Sequence, residues 1–270
     1  MRKRTVPLSL FMAVSLVLLS SCGARKQHTA VIIAGSTSVQ PYAEILAERY
    51  MEIFAENDIE IQGGGSSAGI TAAVDGAADI GMSSRALKES EGQLWSLEIA
   101  KDGLAVIVNP RNPVDNLTAE AIMKLYSGEI TNWSELGGRD AKIHIITREE
   151  GSGTRSAFEE LVMKEDSISP KAIVQDSNGT VRQLVSSDID SIGYISLGLV
   201  DDTIKAISLD GIAATYENVA GNIYALHRPF LFVCIGPPEG KVRAFIEFVM
   251  SDEGQKILRD EGLIPPVEQI

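Results

Sequence analysis

The chain has 270 residues, 44% of them hydrophobic, and 24 Lys and Arg face 37 Asp and Glu for a formal net charge of −13. A charge of this sign argues against a nucleic-acid backbone as partner, because phosphodiesters need a basic face. It does not exclude a small anion, since surface charges beyond about 8 Å are largely screened at physiological salt and a local cluster can decide.

Residues 1–21 read as an export signal. Arg2, Lys3 and Arg4 make a basic head, Val6 to Leu19 is almost entirely apolar, and small residues follow at Ser20 and Ser21. A short membrane anchor is the alternative, but the run is short for a span. The string "LSSC" resembles the bacterial lipobox, in which cleavage leaves Cys22 as a lipidated first residue. The resemblance implies a protein attached to the membrane through Cys22 and working outside the cytoplasm. Without residues 1–21 the chain carries 21 basic and 37 acidic residues, a net charge of −16. With Cys22 at the anchor, Cys234 stands alone in "FLFVCIG", so no internal disulfide is available and a buried apolar thiol is expected.

A unit then repeats: a short β-branched run, a Gly/Ser/Thr turn and a helical pattern. "AVIIA" leads through "GSTS" into a helix over Val39 to Glu56, with apolar residues at 39, 42, 43, 46, 47, 50, 53 and 54. "IEI" leads through "GGGSSAG" into a short helix over Ile70, Ala73 and Val74, and "ADIGM" runs into "SSR". "GLAVIVNPRNP" is a strand ending in an Asn-Pro turn, followed by a helix and a Trp133 loop within "NLTAEAIMKLYSGEITNWSELGG". "KIHIIT" leads through "REEGSGTR" into a helix from about Thr154 to Lys164. "AIVQ" leads through "DSNGT" into Val181 to Ser187 and the strand "SIGYIS". "IYALHRPFLFVCIG" is a second long apolar strand, and Pro229 within it points to an edge or a crossover. The tail "GKVRAFIEFVMSDEGQKILRDEGL" is amphipathic helix broken near "DEG". The pattern predicts an α/β fold with mainly parallel strands.

The Ser/Thr/Gly turns close strands and open helices, at the sheet edge where α/β folds bind ligands. Helix N-termini there offer free N–H groups, hydroxyls donate or accept, and glycine admits an anion close to the backbone. Arg148 and Arg155 beside one turn could add charge-assisted bonds suited to a tetrahedral oxyanion. Any single turn is more simply a helix cap; four of them with arginines favour a shared anion site.

Rival motifs are weaker. Walker A is absent, and Gly63 to Ala68 is a lone G-x-G-x-x-A match. Gly65-Ser66-Ser67-Ala68-Gly69 fits the G-x-S-x-G elbow of a serine hydrolase with Ser67 as nucleophile and His227 as base, without an HGGG-type motif beside it. His28, His144 and His227 show no metal-ligand spacing. No cofactor and no metal are expected.

Taken together, "AGSTSVQPYAEILAERY", "GGGSSAGI", "ADIGMSSRAL", "LYSGEITNWSELGG", "REEGSGTRSAF" and "SIGYISLG" resemble, in order, stretches of the phosphate-binding proteins of bacterial phosphate ABC transporters. The likeness runs from about residue 30 to the end. It implies a type II periplasmic-binding-protein fold, with two α/β domains joined by two crossover strands around a ligand cleft. One domain would take residues 28–106 plus 223–270 and the other 107–222. It implies a non-enzymatic receptor that passes inorganic phosphate to permease subunits, and a monomer is expected; the alternatives are the Ser67 hydrolase and an oxyanion-binding module for another anion or for signalling. The implied ligand set is Thr37, Ser38, Ser66, Arg148, Ser152, Gly153 and Thr154. Ser84, followed by Arg85, stands where many members carry an aspartate that accepts the phosphate proton; both join the set. A serine there leaves the acceptor to a backbone carbonyl or to an acid such as Asp79, itself read first as a structural strand-end bond. Glu149 and Glu150 are expected to face solvent.

Overall fold

The computed structural model describes residues 30–266; the export signal and Cys22 lie outside that range. The repeated units form as the sequence predicts. β1 (Val31–Gly35) and α1 (Gln40–Ile53) are followed by β2 (Ile59–Gly63), α2 (Ser66–Val74) and β3 (Ile80–Ser83). α1 starts one residue and stops three residues inside the expected range, with Pro41 in its first turn, where no backbone N–H is needed. It buries Tyr42, Ala43, Leu46, Ala47 and Tyr50 along one stripe. α2 lies so close to the sheet that a side chain at Gly69 would collide with the Ala34 carbonyl, and this approach carries Ser66 to the strand ends.

β4 (Trp95–Val108) begins well before the predicted "GLAVIVN". Its first half is half-buried and punctuated by Ser96, Glu98 and Lys101, so it lacks the continuous apolar signal of its second half. Beyond it come β5 (Asn116–Leu117), α3 (Ala119–Ser127), β6 (His144–Arg148) and α4 (Gly153–Phe158), which runs on through a π-helical turn over residues 159–163. β7 (Ile173–Gln175), α5 (Asn178–Ser187) and β8 (Ser191–Ser196) complete this half, with β9 (Lys205–Ala206), β10 (Ser208–Leu209) and α6 (Tyr216–Ala220). β11 (His227–Cys234) returns to the first half and leads into α7 (Gly240–Met250) and α8 (Asp252–Asp260), which part at the N-cap Ser251.

The main sheet runs β2-β1-β3-β11-β4-β8-β6-β7, with β9 on β4. Its flanks are parallel, as expected, whereas β3-β11-β4-β8 is antiparallel at the centre. β11 is therefore no edge strand, and Pro229 is accommodated another way. Its partner Lys101 exchanges both backbone bonds with Ile264, away from β11. Pro229 thus sits in a non-hydrogen-bonded pair, its nitrogen turned toward β3, whose pairing with β11 reaches only Leu231. No ladder bond is lost.

β4 and β11 also mark a change of core. Ile99 and Ala100 pack with β1, β3, α1, Phe230, Phe232 and Phe245. Leu104, Val106 and Val108 pack instead with Tyr126, Trp133, Phe158 and Tyr194. Two large apolar cores result, joined by two long strands, with smaller apolar clusters beside them. Cys234 is buried in the first core, and burial pushes its thiol up to about 11, which leaves it an unreactive apolar group.

Candidate functional site

The turns that close β1, β2, β3 and β6 meet where the two cores face each other. Each is built by local chain chemistry. Ser36 holds the start of α1, its carbonyl accepting from the Val39 and Gln40 amides and its Oγ from the Ser38 amide at 3.2 Å. Ser152 caps α4, its Oγ accepting from the Arg155 amide at 3.2 Å. As the first residues of α4, Gly153 and Thr154 have amides with no intrahelical acceptor.

The hydroxyls form a connected, buried set. Ser36 Oγ donates to Ser84 Oγ at 2.8 Å, and the Ser84 amide donates to Ser66 Oγ at 3.0 Å. Ser84 and Ser66 hydroxyls lie 3.4 Å apart. Gly153 packs directly against both, and any side chain there would collide with them. From the other core Thr154 Oγ1 meets Ser38 Oγ at 2.8 Å, and the Gly151 carbonyl accepts from the Ser67 amide at 3.1 Å.

Arg148 ends β6 with a buried guanidinium. Its Nε and Nη2 donate to the two Glu149 carboxylate oxygens, each at 2.9 Å, and Nη2 also reaches Thr37 Oγ1 at 3.1 Å. Nη1 is buried and has no protein acceptor. Glu149 is thus half-buried against Arg148 rather than turned to solvent, which corrects the expectation for it; Glu150 is exposed. The correction has a plain cause: a carboxylate gripping one edge of the guanidinium fixes which edge stays free.

The structure therefore brings together Thr37, Ser38, Ser66, Ser84, Arg148, Ser152, Gly153 and Thr154. Arg85 departs from the set. Its guanidinium makes a two-pronged pair with Glu91 at 2.7 and 2.9 Å, and that pair holds the Glu91 carboxyl below its ordinary range. Asp79 accepts from the Ile32 amide at 2.9 Å, a structural bond. Arg155 pairs with Glu159 and donates to the Arg148 carbonyl. Ser67 Oγ is bonded by Arg85 Nη2 at 3.5 Å, and among the described residues no histidine bonds to it, so the G-x-S-x-G turn lacks the base a hydrolase needs.

Several residues of the cluster escaped sequence reasoning. Asn178, the first residue of α5, donates to Ser38 Oγ at 2.9 Å and accepts from the Ser196 amide. Arg228, on β11, donates through Nη2 to Ser38 Oγ at 3.1 Å and through Nε and Nη2 to Asp102 at 3.1 and 3.0 Å. Ser196 Oγ donates to the other Asp102 oxygen at 2.8 Å. Burial raises the Asp102 carboxyl and lowers the Arg228 guanidinium, each shift opposed by the partner's charge. The signal available was an arginine interrupting an apolar strand beside Pro229.

Nearly every group here donates: two guanidiniums, hydroxyls and amides at helix starts. Such a set suits an oxyanion. Among the described residues no group of three His, Cys, Asp or Glu side chains is placed to hold a metal ion. A cleft of about 230 Å³ bounded by Lys142, His144, Ser169 and Lys171 lies apart from the cluster and contains none of its residues.

The model of the PBP superfamily domain matches residues 23–253. The chain is 32% identical to the phosphate-binding protein PstS of Bacillus subtilis over 287 residues, 98% of this chain and 95% of that protein. A crystal structure from Clostridium perfringens, described as a candidate phosphate ABC transporter substrate-binding protein with bound phosphate, matches with a TM-score of 0.85 and 43% identity. It covers 88% of this chain and 100% of its own. An ABC-type phosphate transport receptor from Vibrio cholerae matches with a TM-score of 0.74 and 40% identity over 87% of this chain and 100% of its own.

Proposed function

The chain belongs to the PstS phosphate-binding family of the PBP superfamily, and on that membership and the donor geometry we propose that it is an extracytoplasmic receptor that binds inorganic phosphate for an ABC transporter. It is a binding protein and not an enzyme. The observation that carries the reading is the buried Arg148 Nη1, which has no protein acceptor, beside the first amides of α4, which have no intrahelical acceptor. A buried charged donor without an acceptor costs more than the 1–3 kcal/mol of a neutral one, and a tetrahedral oxyanion supplies acceptors in several directions.

In this reading the two cores are two domains, residues 28–106 plus 223–270 and residues 107–222, closing on the ligand about β4 and β11. The ligand set is Thr37, Ser38, Ser66, Ser84, Arg148, Ser152, Gly153 and Thr154, with Arg85 assigned to structure. Cys22 carries a lipid anchor, the protein works as a monomer, and permease subunits receive the phosphate. Equilibrium dialysis with labelled phosphate, competed by arsenate and sulfate, tests the class: retention of phosphate supports it, and no retention of any of the three defeats it.

A further inference from the structure

Arg148 is not the only arginine with an idle edge. Arg228 repeats its arrangement on the second crossover strand. A carboxylate, Asp102, takes the Nε and Nη2 edge, as Glu149 does for Arg148. Nη1 is again buried with no acceptor. The two guanidiniums also dock on consecutive residues: Arg148 on Thr37 at 3.1 Å and Arg228 on Ser38 at 3.1 Å. Asn178 Nδ2 contacts both of those hydroxyls, at 3.5 and 2.9 Å. The arginines are near enough that the charge of Arg148 adds to the downward pull on Arg228.

Two like charges held in one buried place repel unless something between them is negative. Each has one carboxylate, and each carboxylate lies on the edge away from Nη1. The geometry points to Arg228 as a second guanidinium that donates from Nη1 to the bound anion, with Asp102 as the residue that positions it. This rests on the phosphate-binding reading of the same site.

The arrangement also ties the ligand to the crossover strands. Arg228 and Asp102 are register partners on β11 and β4. Through Ser38 the pair reaches the first core, and through Ser196 Oγ on Asp102 it reaches β8. An anion on Nη1 would therefore fix both strands and both cores through one guanidinium. Arginine suits this task and lysine does not, because only a planar fork can give one edge to a carboxylate and another to a ligand.

The test is phosphate affinity of Arg228→Gln and Arg228→Lys beside the parent, with the melting temperature of each ligand-free protein, and a crystal structure of the parent with phosphate. In the crystal, Arg228 Nη1 is expected within about 3.2 Å of a phosphate oxygen. Arg228→Gln should bind about 30-fold or more weakly, and Arg228→Lys, which keeps the charge without the fork, should also bind more weakly than the parent, parental affinity in it overturning the inference. A parent that binds phosphate with Arg228 Nη1 turned away from it overturns the inference, as does an Arg228→Gln protein of parental affinity. If Arg228→Gln does not fold, the crystal distance and the lysine variant still decide. A parent that binds no phosphate defeats the underlying reading instead.

Discussion

Ser38 and Thr154 meet hydroxyl to hydroxyl at 2.8 Å although 116 residues separate them in the chain, one from the turn after β1 and one from the start of α4. Both are buried, and the bond joins the two cores. Phosphate affinity measured in Ser38→Ala, Thr154→Ala and the double variant should show a coupling of about 0.5–1.5 kcal/mol, or about 2- to 13-fold. Ser38→Ala should cost more than Thr154→Ala, because Asn178 and Arg228 also give hydrogen bonds to Ser38. Strictly additive losses would show that the contact does not bear on binding.

Gly153 tests the closeness of the same interface. A methyl group there would run into Ser66 and Ser84, residues that belong to the other side. Gly153→Ala should therefore keep the fold, with an unchanged melting temperature without ligand, and lose phosphate by about tenfold or more, the effect of roughly 1.4 kcal/mol of overpacking. Parental affinity in this variant would mean that the two sides do not close this tightly around the ligand.

Much of this was legible in the sequence because it is local. Turn residues such as Ser152 and Gly153 announce both a helix start and its free donors, and the 3.6-residue stripe of α1 needs no partner to be seen. The remainder is written in contacts between distant residues. Arg228 lies 190 positions from Ser38, and nothing in "HRPFLF" says that Asp102 waits opposite. Pro229 points toward an edge or a crossover because a missing N–H usually needs one; β11 runs between the two cores, and register decides that the Pro229 nitrogen faces no ladder partner. Arg85 shows the converse: it neighbours Ser84 in sequence, but β3 ends there and its guanidinium swings to Glu91.

The reassignment of Arg85 makes a separate prediction. The Arg85 side chain is 4% exposed and that of Glu91 18%, so Arg85→Gln should lower stability by about 1–3 kcal/mol at neutral pH, less than a fully buried pair would. It should leave phosphate affinity within about threefold, a shift of under 1 kcal/mol. The Glu91 carboxyl is held down in the folded protein, so its contribution is present above the ordinary carboxylate value, about 4.3, and is lost as pH falls through the depressed one. The stability gap between parent and variant, followed by denaturant melts, should accordingly narrow on acidification below about pH 4. A gap that is flat with pH, or a large loss of affinity, would return Arg85 to the ligand set.

Ser84 is the position at which selectivity can be tested. Its Oγ accepts from Ser36 at 2.8 Å, which leaves its own proton to donate, and a hydroxyl can also turn to accept. The pocket should hold mono- and dibasic phosphate alike across about pH 5 to 8. A carboxylate can only accept, so Ser84→Asp should favour the protonated ligand and reject sulfate more strongly than the parent does. Phosphate titrations with sulfate as competitor check this. Unaltered selectivity and pH profile in Ser84→Asp would show that residue 84 does not face the ligand.

The free edge of Arg148 should receive phosphate where the two cores meet. Calorimetric titration of phosphate into the parent and into Arg148→Ala measures this. Removing one member of a buried charge pair costs about 2–5 kcal/mol, so the parent should bind one phosphate per chain and Arg148→Ala should bind it about 30- to several-thousand-fold more weakly. An Arg148→Ala protein that binds phosphate as tightly as the parent would show that phosphate does not sit on Arg148.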